Sequence, residues 1–392
     1  MGQATVLAGL AIFAMGQTIL FALLGPVARD IGLAEWQVGA IISAAAVVFV
    51  TISPIWGRLS DRLGRRAVII GGLAGYALAT LLFAGLLQAG LSGALAAAIV
   101  FPALLGARLL YAVLAGGIQP AAVALMADMT VAQDRSAGMA RVGAAFGFGS
   151  MLGPAVAAGL VGFGVLVPLL CAAVAALLIA LLLAFVVELP RGGPSPDGAA
   201  KAPQMSPRDI APVLAIAFAA YIAVSTLQQT TAFYIQDFTA TATAEATRLA
   251  GFAFMALAGA MLAAQLGAQR FKPKADAMLA TGLLLATVGL ILYIAAPAYP
   301  VIVAAFAVMG LGFGLIQPGI SASVSLRVGP EVQGAAAGYV QAAMAGGFVV
   351  GPLAGTAIYG IAPVAALLLA LTALGLGYAI FLIAGRSKAD TP

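Results

Sequence analysis

The chain has 392 residues, of which 63% are hydrophobic and only 8% charged, with a mean hydropathy of +1.12 and a formal net charge of +5. Soluble domains carry about 25% charged residues, so a water-soluble globule is excluded and a polytopic membrane protein is the class that fits. With no histidine and one cysteine, Cys171, in an apolar run, a disulfide framework, zinc sites, thiol relays and imidazole acid/base chemistry are excluded as well.

The opening MGQATVLAGL has no positive n-region and leads into a long apolar stretch, which reads as a retained first helix rather than a cleaved signal. A bilayer crossing needs about 20 apolar residues. On that measure, six spans are expected at 4–25, 37–56, 67–88, 96–126, 137–160 and 163–187. Six more are expected at 210–235, 247–269, 275–296, 299–325, 333–358 and 361–384. Between the two sets lies ELPRGGPSPDGAAKAPQMSPRD, rich in proline, glycine and charge, which reads as a flexible linker. The expected fold is an all-α membrane protein of twelve helices. Its parts are a six-helix bundle over 1–187, a cytoplasmic linker over 188–209, and a second six-helix bundle with a short tail over 210–392.

The halves repeat one another. GGIQP ending at Pro120 recurs as GLIQP ending at Pro318, and GSMLGP ending at Pro154 recurs as GFVVGP ending at Pro352, both at an offset of 198 residues. A parallel duplication of this kind predicts a substrate site between the halves near mid-membrane. Orientation follows from Lys/Arg placement. With the N-terminus inside, fifteen Lys/Arg fall in inner loops and tails, only Arg29 and Arg248 in outer loops, and Arg108 within the membrane. Both termini and the linker are therefore expected to face the cytoplasm, although Arg29 argues locally the other way.

The loop after the second span reads Gly57-Arg-Leu-Ser-Asp61-Arg62-Leu-Gly64-Arg65-Arg66. Gly57 and Gly64 allow a tight reversal, and the arginines anchor it at the inner surface. This string resembles the GxxxDRxGRR loop of the major facilitator superfamily. The resemblance implies a cytoplasmic gate latch, with Asp61 near the N-terminus of the eleventh span and loop arginines paired with Asp128. The second half holds a degenerate counterpart around Gln269-Arg270-Phe-Lys272-Pro-Lys274.

Arg108, in LLGARLLYAVLAGG, is the one formal charge deep in any predicted span. Uncompensated, it would cost about 2.5–3.5 kcal/mol on insertion scales, so it must face a cavity or a partner. Its repeat mate is Phe306. The fifth span carries Gly149, Gly153, Pro154 and Gly159, mirrored by Gly351 and Pro352; small residues four apart allow close helix approach, and the proline allows a bend. Together these features resemble the drug:proton antiporters of the same superfamily. That resemblance implies that Arg108 lines a cavity and takes part in binding or coupling. It also assigns the span-5 string to the GxxxGPxxGG antiporter motif, with Ala157 and Ala158 replacing its last two glycines.

Gln17, Gln119, Gln228, Gln229, Gln265, Gln317 and Gln341 fall in spans 1, 4, 7, 8, 10 and 11, and spans 3, 6, 9 and 12 are almost purely apolar. The resemblance makes those four the lipid-facing helices, leaving the amides where a cavity would be. Tyr111, Phe146, Phe148, Tyr221, Phe233, Tyr234, Phe313 and Tyr339 share the inner helices. The binding or coupling candidates are Arg108, Gln17, Tyr111, Gln119, Phe146, Tyr221, Gln228, Gln229, Gln317 and Gln341. No acid lies deep in a predicted span, and a guanidinium cannot release a proton at physiological pH. The candidate proton carriers are therefore Asp30, Glu35, Asp128 and Asp237.

The expected function is secondary active transport, by proton-coupled efflux of small amphipathic or drug-like compounds through alternating access. The alternative is an importer, facilitator or exchanger of a small anionic metabolite, with Arg108 as counter-charge. A membrane-embedded enzyme is disfavoured because no carboxylate pair, histidine or thiol relay converges. A non-transporting sensor is disfavoured because the linker is too short for a further domain. No GxxxxGK[ST] loop occurs, so ATP is not the direct energy source. No cofactor, metal or nucleic acid is expected; the partners are a small-molecule substrate, protons and the bilayer. The chain is expected to be a multi-pass monomer in a plasma membrane of the bacterial inner-membrane type.

Overall fold

The computed structural model describes residues 2–130, 135–185, 206–329 and 332–389. Most of the predicted linker, with Arg191 and Lys201, lies outside the described residues, as do the last three residues of the predicted tail. Among the described residues, thirteen α-helices follow in chain order. They are α1 (Gly2–Asp30), α2 (Glu35–Leu63), α3 (Arg65–Leu91), α4 (Ala97–Ala115), α5 (Ile118–Asp128), α6 (Arg135–Leu160) and α7 (Val167–Phe185), then α8 (Ala211–Thr239), α9 (Thr243–Phe271), α10 (Ala275–Ile294), α11 (Tyr299–Ser325), α12 (Gln333–Tyr359) and α13 (Pro363–Ala389). They supply twelve spans long and apolar enough to cross a membrane, with α4 and α5 together making the fourth. A chain this apolar must satisfy its backbone within each segment, and helices do so without an edge.

Two local departures from the sequence expectation matter for the site. Helices run past their apolar runs: α1 ends at Asp30 and α2 begins at Glu35, so Arg29 sits in the last turn of α1 rather than beyond it. Likewise α2 continues to Leu63, and Gly57 is helical with open space beside it, whereas Gly64 alone makes the reversal, at φ +88°. Polar side chains at a membrane surface are wet, so nothing requires the helix to stop where hydropathy does. The second departure is the interruption of the fourth span at Gly116–Gly117.

The helices form two compact units. One comprises Met1–Gly198 with Ile235–Gly251, and the other Ala199–Tyr234 with Phe252–Pro392. In the first, α1 lies along α6, and α3 packs on α4 and α7. A β-carbon at Gly149 would collide with Ala11 O of α1, and one at Gly153 with Thr18 Oγ1. The same device recurs in the second unit, where Gly347 and Gly351 of α12 back onto Tyr221, Ile222 and Ser225 of α8. There Ser225 Oγ donates to Gly347 O at 2.9 Å and Thr226 Oγ1 to Gly351 O at 3.2 Å. Residues matched at the 198-residue offset thus do the same packing work in each unit. Gly159 differs: it is exposed with nothing nearby, and the neighbouring Ala157 and Ala158 are the buried small residues.

Spans 3, 6, 9 and 12 each show a stripe of large exposed apolar side chains, such as Leu78 and Leu82 on α3 and Val174, Leu178 and Leu181 on α7. They are not simply peripheral, however. The most apolar window of α3 is 61% buried, the largest share of the twelve, because α1, α2, α4, α5 and α7 all pack on it.

Candidate functional site

Arg108 is the only charged residue among the buried described residues, at 8% exposure. It stands one helical turn from Tyr111, and its guanidinium carbon lies 3.9 Å from the centre of that ring. A cation over an aromatic face in a desolvated setting recovers about 2 kcal/mol of the cost of burial. Arg108 Nε, Tyr111 Oη and Tyr76 Oη are buried with no hydrogen-bond partner among the described residues. The rings close around them: Phe13 stacks 6.4 Å from Tyr111 and meets Tyr76 edge-on at 5.7 Å, Tyr76 meets Tyr111 at 5.8 Å, and Phe49 stacks on Phe13 at 6.3 Å. Gly16 gives Tyr76 Oη its space, since a β-carbon there would overlap it. The cluster gathers one cation, two hydroxyls and four aromatic rings within the core of the first unit. Of its residues, Arg108 and Tyr111 were read from the sequence. Phe13, Phe49 and Tyr76 were missed, because nothing in an apolar helix says which aromatic turns inward.

The loop motif divides its labour. Arg65 reaches both Asp128 and Ala124 O at the end of α5, and its Nη2 lies 3.6 Å from Asp61 Oδ1. Arg66 donates to Leu183 O at 2.8 Å and Ala184 O at 3.2 Å, closing the last carbonyls of α7. These positions follow from helix electrostatics. Asp128 sits at a helix C-terminus, where a negative charge is unfavourable, and the arginines sit at the N-terminus of α3, where a positive charge is. Each needs the other. Asp61 and Arg62 are exposed on the last turn of α2.

A second charged cluster was not foreseen as a cluster. Arg29 binds Asp237 with two parallel bonds of 2.5 and 3.0 Å, Glu35 at 2.9 and 3.1 Å, and Gln236 at 3.4 Å. Thr243 Oγ1 donates to Asp30 Oδ2 at 2.6 Å. All of these residues belong to the first unit, which takes in the end of α8 and the start of α9. Each of the four candidate proton carriers therefore has a partner: Glu35 and Asp237 share Arg29, Asp30 has Thr243 and Asp128 has Arg65.

The remaining candidates are less concentrated. Gln17, Gln119 and Phe146 are half-buried in the first unit. In the second unit Gln229 is buried, Gln228 and Tyr221 are half-buried, and Gln317 and Gln341 are exposed. Tyr221 packs edge-on to Phe348 at 5.3 Å. Gln228 Oε1 is buried without a partner among the described residues, as are Thr231 Oγ1 and Tyr293 Oη. The last two were missed, although the run Ser-Thr-Leu-Gln-Gln-Thr-Thr over 225–231 is an unusual density of polar groups for a membrane helix. No group of three or more metal-ligating acids or cysteines occurs among the described residues.

The sequence profile of the Major Facilitator Superfamily matches residues 6–275 and 213–392. Multidrug resistance protein 2 of Bacillus subtilis (strain 168) is 30% identical over 150 residues, which are 38% of this chain and 34% of that protein. Tetracycline resistance protein, class D, of Salmonella ordonez is 32% identical over 122 residues, 30% of this chain and 27% of that protein. These matches span about a third or less of each relative's length. Among solved structures, a bacterial homolog of the human lysosomal transporter Spinster, inward-facing and occupied, aligns with a TM-score of 0.76 at 15% identity, covering 98% of this chain and 96% of that one. The human organic anion transporter MFSD10 (TETRAN) aligns with a TM-score of 0.66 at 23% identity, covering 97% and 98%. At these identities the likeness is one of fold.

Proposed function

The chain belongs to the Major Facilitator Superfamily, and from that premise we propose that it exports small amphipathic or drug-like compounds in exchange for protons, by alternating access. The observation that carries the reading is the buried Arg108 stacked on Tyr111 within the ring cluster of Phe13, Phe49 and Tyr76. Aromatic rings supply apolar contact to flat guests, and Arg108 Nε with the Tyr76 and Tyr111 hydroxyls, none of which has a partner among the described residues, supplies directional polar contacts. The resistance proteins named above, although matched over limited stretches, support the same direction of transport. On this reading the protein is a monomer in a membrane of the bacterial inner-membrane type, with both termini cytoplasmic. Its six-helix bundles cover 1–187 and 210–392, and Asp61 and Arg65 serve its inner gate.

A second reading is an importer, facilitator or exchanger of small organic anions. It is favoured by the absence of any buried acid beside Arg108 among the described residues, which leaves the site a net positive charge. Transport in inside-out and right-side-out vesicles under an imposed pH gradient tests both, with ethidium as an amphipathic cation and fluorescein as an aromatic anion. Proton-driven accumulation in inside-out vesicles supports export. Movement of fluorescein alone, indifferent to the pH gradient, supports the second reading and overturns the first.

A further inference from the structure

We propose that Trp56 is a positioning residue for the fourth span: it locks the break at Gly116–Gly117, so that displacement of the Arg108 segment is transmitted to the Asp128 segment. The proposal deepens the reading of Arg108 as a binding or coupling residue and rests on it.

The break has an identifiable construction. Pro120 has no N–H, so Gly116 O loses the donor an unbroken helix would provide. Val113 O, which the Gly117 amide would face in a regular helix, accepts from Trp56 Nε1 at 2.7 Å. The indole lies directly on the glycines. A β-carbon at Gly117 would come within 3.0 Å of Trp56 Cδ2 and 2.7 Å of Val68 Cγ1, and one at Gly116 within 2.6 Å of Ile52 Cγ2. Only glycine permits that approach. The repeat supplies an internal control. Gly314-Leu-Ile-Gln-Pro318 matches Gly116–Pro120, yet α11 runs unbroken through it. The first glycine and the proline are therefore insufficient to break a helix here. What the first unit adds is Gly117, where the second half has Leu315, with the indole lying on it.

The far end of α5 is held as well, by Arg65 on Ala124 O and Asp128. Both holds come from one short stretch, residues 56–65. The 11 residues of α5 form a rod about 16 Å long, whose N-cap Gly117 packs against the Trp56 ring and whose far end is held by Arg65. Arg108 stands about two turns before the break. A shift of α4 that accompanies a guest at Arg108 moves Val113 O, and with it the bond to Trp56. Trp56 thereby sets whether the motif clamp at Asp128 responds to the site.

The chain has two tryptophans, and Trp36→Phe leaves Trp56 as sole reporter in the purified full chain. Asp128→Asn and Arg108→Gln should each shift the Trp56 emission maximum, whereas Thr372→Val, exposed on α13, should not. No shift in either variant, or an equal shift with Thr372→Val, overturns the proposal. In Cys171→Ser protein carrying Ala127→Cys, Arg108→Gln should change the rate of maleimide labelling several-fold, and adding Trp56→Phe should abolish that response. An undiminished response in the Trp56→Phe protein overturns the coupling role. If that variant does not fold, Gly117→Ala, which displaces the indole, takes its place with the same expected loss. Neither readout uses a transported compound. Vesicles that move neither ethidium nor fluorescein would thus defeat the transport reading and leave these results standing.

Discussion

A guanidinium held within a membrane span has to be explained by what it touches. Arg108 touches a ring face rather than a carboxylate, so its charge is eased without being neutralised. Arg108→Lys keeps the charge and loses the flat stack and the fork of donors. Affinity for a transported dye should fall roughly tenfold or more, a loss of about 1.4 kcal/mol, with the melting temperature nearly kept. Arg108→Ala should abolish binding; a lowered melting temperature with affinity intact would mark the residue as structural instead. Tyr111→Phe removes a buried hydroxyl that has no partner among the described residues, so stability should hold or rise. Any accompanying loss of affinity then reports a hydroxyl that meets the guest. Arg108 was legible because one charge in an apolar run is anomalous by itself. Phe13, Phe49 and Tyr76 were not, since an aromatic in a leucine- and alanine-rich helix is ordinary until its neighbours are known.

Helix-to-helix geometry shows the same divide between what spacing reveals and what it hides. The matched strings at 149–154 and 347–352 announced close packing, and in each unit the glycines do back onto the first helix of their half. Spacing could not show that Gly159 faces outward. Gly153→Leu should therefore cost about 1–3 kcal/mol by overpacking, while Gly159→Leu should stay within about 0.5 kcal/mol, a contrast that thermal melting in detergent measures directly. The interruption of the fourth span was hidden for a related reason: the repeated strings differ only at Gly117 against Leu315, and spacing does not show the indole that packs on Gly117. Asp128→Asn, which leaves Arg65 with Ala124 O and Asp61, should lower stability by about 1–3 kcal/mol and slow transport in either direction.

Charge placement over the full chain sets the terms for energy coupling. Arg29 runs against the Lys/Arg bias, but in the structure it is held by Glu35 and Asp237, so it contributes no unbalanced positive charge there. The sequence made its position visible and left its partners invisible, because Asp237 lies 208 residues away. No acid is buried among the described residues, so proton coupling through a carboxylate requires one at a helix end, and protonating it must weaken an existing pairing. Asp237 is the strongest choice. It takes both parallel bonds from Arg29, and Glu35 remains to hold the arginine when Asp237 is neutral. Asp237→Asn should keep dye binding and downhill flux while losing pH-driven accumulation. Asp128→Asn, by contrast, should slow downhill and uphill flux alike, which separates a coupling residue from a gate residue in one vesicle assay. If the amide variants at Asp30, Glu35, Asp128 and Asp237 all still drive full accumulation from a pH gradient, none of these carboxylates carries the proton, and the transport cycle is that of a facilitator or of an exchanger using another ion.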